Sequence, residues 1–154
     1  MPLAARLLAL AALPLLVSVR ALGAQTITVS GNPGLLRIST AIPGSQPTSV
    51  SDAVTTFTVN TPTSGNIKYQ VLMSLNANMP TNVTLTATLA VPAGSAGVSS
   101  GAIALDVTPR SVINSIKKNY SGTAAITYQL VATAAAGVVP NSSRIVTLTI
   151  TTFP

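Results

Sequence analysis

From Ile67 to Leu75 every odd-numbered residue is apolar and the even-numbered ones are mostly polar. A period of two sends alternate side chains to opposite faces of a strand, so this run predicts a β-strand with one buried face. Val83 to Val91 repeats the pattern with threonines on the polar face, and Ile145 to Thr151 does so with Val146, Leu148 and Ile150 inward. Ile126, Tyr128 and Leu130 form a fourth inner row, Phe57 and Val59 a fifth, and Ile103, Leu105 and Val107 a shorter sixth. Thr26 to Val29 and Leu35 to Ser39 predict weaker strands. Ser111 to Lys118 places Val112, Ile113 and Ile116 at helical offsets, but its β-branched residues favour a strand or a short turn. Ala132 to Ala136 is too short for a helix and is ended by Gly137, which predicts a loop or a strand end.

Gly- and Pro-bearing clusters punctuate these runs at 31–34, 43–47, 61–66 and 92–97. Short strands at this spacing predict one all-β domain, an antiparallel sandwich of seven to nine strands, with no internal repeat. Its expected core is Phe57, Val59, Tyr69, Val71, Met73, Leu85, Leu89, Tyr128, Leu130, Val146, Leu148 and Ile150. A register slip of one residue would expose a whole row of these side chains.

The N-terminal residues follow a different grammar. Arg6, the apolar run Leu7 to Val17 and the small-residue stretch Ala21 to Ala24 read as a secretory signal peptide over residues 1–24. Cleavage after Ala24 or after Ala21 fits the stretch. The run is too short to span a bilayer and Arg20 closes it. Of 154 residues, 24 then leave with the signal, and the remaining 130 (residues 25–154) form the sandwich domain, expected at the cell surface, in the periplasm or secreted, without membrane insertion.

Composition narrows the chemistry sharply. The chain has no Cys, His or Trp and no Glu, so disulfides, Cys/His metal sites, thiol nucleophiles and His-based triads lack their atoms. Beyond the signal, the six basic residues Arg37, Lys68, Arg110, Lys117, Lys118 and Arg144 face only Asp52 and Asp106, a net charge of +4. Asp52 reads as a turn cap at the start of a strand and Asp106 as an exposed strand residue, which predicts no enzyme, metal or cofactor. The basic residues are scattered in sequence apart from Lys117-Lys118, so Lys117 to Tyr120 reads as a solvated turn and no nucleic-acid partner is expected. Polar strand faces carry threonine in place of charge, with 21 Thr in residues 25–154.

The last third of the chain resembles small bacterial secreted β-sandwich proteins of the spore-coat-U-like and fimbrial-subunit-like kind. The resemblance rests on Ser111 to Ile116, Ile126 to Leu130, Gly137, the closing run Arg144 to Thr151 and the penultimate aromatic Phe153. It lacks a cysteine pair, and Phe153 falls on the opposite strand parity from Val146, Leu148 and Ile150. The resemblance implies an immunoglobulin-like sandwich used as an extracellular building block that meets itself or other surface subunits through strand edges. Two candidate assembly strands follow: Thr26, Ile27, Thr28 and Val29 after the signal, which can pair at home or be donated, and Val146, Leu148, Ile150 and Phe153 at the C-terminal end. The competing reading is a secreted adhesin or a glycan- or protein-binding module, for which Asn76, Asn78 and Asn82 are the nearest thing to an amide cluster.

Overall fold

A computed structural model describes residues 24–40, 42–45, 48–63 and 65–154; the expected signal segment lies outside the described residues apart from Ala24. Among the described residues nine strands form two antiparallel sheets: β1 (Thr26–Ser30), β2 (Thr48–Thr61), β3 (Lys68–Leu75), β4 (Val83–Leu89), β5 (Val98–Ser99), β6 (Ile103–Ala104), β7 (Arg110–Ile116), β8 (Tyr120–Ala132) and β9 (Val146–Phe153). One sheet has the order β1-β2-β8-β4-β6 and the other β5-β7-β3-β9. The chain is the all-β sandwich that its alternation predicts. Taken in chain order, β1-β2-β8-β4 facing β3-β9 follows the A-B-E-D and C-F order of an immunoglobulin sandwich. Among the described residues, no strand occupies the place of G beside β9.

The longest ladder, between β2 and β8, shows why these residues pack. Phe57 lies opposite Ala124 and Val59 opposite Gly122, so a large inward side chain meets a small one at each step. Both Phe57 and Val59 are fully buried. Of the expected core, Tyr69, Val71, Met73, Leu85, Leu89, Tyr128 and Ile150 are buried too, whereas Leu130, Val146 and Leu148 are half-buried against it. Ile126, Leu75, Ala87, Leu105, Val112, Ile113 and Ile116 complete the core.

Ser111 to Ile116 is strand, not a helical turn. Its adjacent Val112 and Ile113 are both buried because the β3–β7 register shifts at Val71, and Ser115 takes a positive φ of 60°. An irregular ladder of this kind turns consecutive side chains to one face. Ala134–Ala136 forms a single 3-10 turn capped by Gly137.

Three sequence expectations are corrected. Leu35 to Ser39 is not a strand: Leu36 packs against the core and Ile38 is half-buried, as the alternation implies, but the backbone joins no ladder. The chain leaves the β1–β2 ladder at Gly31, whose φ of +78° ends β1 and where a Cβ would stand 3.0 Å from the Val54 carbonyl oxygen. Asp52 lies inside β2, at a register shift between Asp52 and Thr55, and not at a strand start. There its carboxylate accepts hydrogen bonds from the backbone N–H of Val54 (3.1 Å), which the irregularity takes out of the ladder, and of Gly34 (3.2 Å) in the segment that follows β1. Asp106 follows β6 and is not part of a strand; it accepts from the Thr108 N–H at 2.8 Å and pairs with Arg110.

Candidate functional site

The four sheet edges differ greatly in what they offer. β5 and β6 are two residues long, which leaves little main chain for a partner. β9 runs for eight residues, pairs with β3 along its whole length from Val146↔Leu75 to Phe153↔Lys68, and carries no charge. Its inward row is unevenly covered: Ile150 is buried, whereas Val146 and Leu148 are half-exposed. Phe153, on the other parity, is half-buried at the end of the strand.

Across the sandwich, β1 forms the matching edge of the other sheet. It pairs with β2 from Thr26↔Asn60 to Ser30↔Thr56, so it docks in its own domain. Thr26 and Thr28 point outward, and Thr26 Oγ1 accepts from Asn60 Nδ2 at 3.4 Å. Ile27 lies opposite Val59 and Val29 opposite Phe57, which sets both on the core side. Val29 is nevertheless 48% exposed. The two candidate assembly strands thus flank one side of the sandwich, where β1 and β9 approach each other, and inward side chains from both remain uncovered. Sequence periodicity names both strands but carries no signal that they border the same seam.

A cavity of about 270 Å³ opens at the end of the sandwich where Leu36 and Ile38 face Met79, Val83, Leu130 and Val139. The surrounding loops are clamped by side chains that the sequence offered for ligand binding. Asn76 Oδ1 accepts from the Ile145 N–H (2.9 Å), Asn78 Oδ1 from the Val107 N–H (3.3 Å), and Asn82 Nδ2 donates to the Ala135 carbonyl (3.3 Å). Arg144 donates through Nε and Nη2 to the Asn78 carbonyl at 3.0 and 2.9 Å. These amides hold the β3–β4 loop to its neighbours.

The two carboxylates are likewise engaged in local structure. The Arg110 guanidinium, followed by the Thr108 N–H, holds the Asp106 carboxyl below the ordinary carboxylate value. Among the described residues no three metal-ligating side chains gather, and no helix is long and apolar enough to cross a membrane.

No protein-family model, curated protein or solved structure matches this chain.

Proposed function

We propose that this chain is an exported, non-enzymatic structural subunit of the bacterial cell surface, pilus- or coat-like, that assembles by strand addition at β9. The observation that carries the reading is the eight-residue, charge-free edge of β9 with Val146 and Leu148 half-covered beneath it. An added strand would satisfy the unpaired main-chain groups of that edge and bury its inward row, the two gains on which β-augmentation depends. The place of an immunoglobulin G strand is where such a strand would sit. Export rests on the signal-type segment 1–24, and the threonine-covered faces suit a building block in water.

The test is the association state of the processed chain in analytical ultracentrifugation, beside Val146→Lys. An inward-pointing lysine blunts an edge without reaching the buried centre of the core. Concentration-dependent oligomers in the parent and a folded monomer in Val146→Lys are expected. A parent chain that stays monomeric at its highest soluble concentration overturns the proposal.

A further inference from the structure

Three lysines that are far apart or merely adjacent in sequence meet at one tip of the sandwich. Tyr69 pairs with Ile116, so Lys68 at the start of β3 and Lys117 just after β7 both adjoin the last cross-strand pair of that ladder, and Lys118 follows Lys117. All three are exposed. No acidic residue relieves them: Asp52 and Asp106 both sit toward the opposite end, and Arg110–Asp106 is the one ion pair among the described residues. Arg110 is ion-paired and Arg144 is hydrogen-bonded to carbonyls at that far end, while the tip carries three of the chain's basic side chains with no ion-pair partner among the described residues.

The basic turn is also held rigidly. Lys117 N–H donates to the Ser95 carbonyl (2.9 Å), Asn119 N–H to the Pro62 carbonyl (2.8 Å) and Tyr120 N–H to Thr61 Oγ1 (3.0 Å). Thr61 Oγ1 in turn donates to the Lys117 carbonyl at 2.9 Å. The Lys117 ammonium rests 5.7 Å from the centre of the Tyr120 ring, which positions the charge without cancelling it. Beside Lys68 stands Ile67, 43% exposed at the same tip.

We infer that this tip docks on an anionic lipid surface. Clustered ammonium groups attract phosphate headgroups, and an exposed isoleucine among them can enter the headgroup–acyl boundary. The aromatic rings beside these lysines are Tyr120, which lies under Lys117, and the half-buried Phe153 opposite Lys68, so neither is the open stacking platform by which single-stranded nucleic acid is gripped. The contact is peripheral and is independent of strand addition at β9, because a monomer presents the whole tip.

The test is co-sedimentation of the processed protein with vesicles of phosphatidylglycerol and phosphatidylcholine, against vesicles of phosphatidylcholine alone. Selective, salt-sensitive binding to the anionic vesicles is expected, weakened on the order of a hundredfold in the triple variant Lys68→Gln/Lys117→Gln/Lys118→Gln. Arg37→Gln should bind as the parent does. Ile67→Ser should lose the part of the binding that survives high salt. Circular dichroism verifies the fold of each variant, and Lys118→Gln alone, at an exposed turn position, gives a milder second reading of the same loss. Equal binding by the triple variant overturns the inference. So does a parent that ignores the vesicles, including one retained instead by a soluble polyphosphate.

Discussion

The Tyr120 ring lies back along its own strand over Gly122, so close that a Cβ at Gly122 would stand 2.5 Å from Tyr120 Cζ and 3.0 Å from Cε1. Two residues apart on β8, the side chains share a face, and only glycine leaves room for the phenol to lie down. From there the hydroxyl donates to the Ala93 carbonyl at 2.9 Å and ties the 92–97 loop to the sheet. Gly122→Ala should displace the ring and cost about 1–3 kcal/mol. In a Tyr120→Ala background the same substitution should cost far less, and denaturant unfolding of the four chains of that cycle checks the coupling.

Thr55 is 1% exposed on the core side of β2, and its hydroxyl has no hydrogen-bond partner. Burying an unsatisfied hydroxyl is unfavourable, whereas the isosteric methyl of valine is at home there. Thr55→Val should raise the unfolding free energy by about 1 kcal/mol, read from the urea midpoint at unchanged slope. An unchanged or lowered midpoint would show that this oxygen has a partner in solution.

Alkali should weaken the fold through Tyr128. Burial pushes its hydroxyl up to about 12 from the ordinary 10.0, so between those values the folded chain keeps a proton that the unfolded chain releases. This contribution is fully present below pH 10.0 and is lost as pH rises toward 12. Spectrophotometric titration should show one phenol ionising late, and Tyr128→Phe should flatten the alkaline fall in stability.

At the acid end the sign reverses. Arg110 and the Thr108 N–H depress Asp106, so its contribution is present above the ordinary carboxylate value of 3.8 and fades as pH falls through the lower folded value. Asp106→Asn should leave a smaller loss of melting temperature on acidification than the parent shows. The chain holds no histidine, the side chain that would ordinarily add a slope between these two flanks.

Asp52→Ala should cost about 1 kcal/mol, since it removes the carboxylate that bridges the Val54 N–H at the β2 irregularity and the Gly34 N–H of the segment after β1. Asp52→Asn, which keeps an acceptor oxygen, should cost less. Thermal melts of the two variants distinguish them.

Strand periodicity made the sandwich legible because most inward rows, such as Tyr69, Val71, Met73 and Leu75, obey a strict period of two. It failed where the ladder is irregular. Val112 and Ile113 are neighbours that share a buried face, and the first half of β2 is interrupted at Asp52, so neither reads as alternation. At Leu35 to Ser39 the pattern gave the correct faces for Leu36 and Ile38, but period two says which way a side chain points and not whether its backbone finds a partner. The edge strands β1 and β9 were nameable from sequence; their shared seam was not, because it depends on which sheet each joins. The same holds for Lys68 and Lys117, brought together by one cross-strand pair across 49 positions of sequence.

The two-residue strands β5 and β6 have a consequence for colloidal behaviour. A sheet can grow without limit, as in cross-β fibrils, only if it accepts a neighbour on both of its borders. Here each sheet ends on one border in such a stub, and the other border is β1 or β9. Growth in two directions at once is disfavoured, because the stub border offers a neighbour only a short, interrupted run of main chain. A domain with long apolar strands and little charge thereby limits sheet growth by geometry, where many proteins use lysine and glutamate for the purpose.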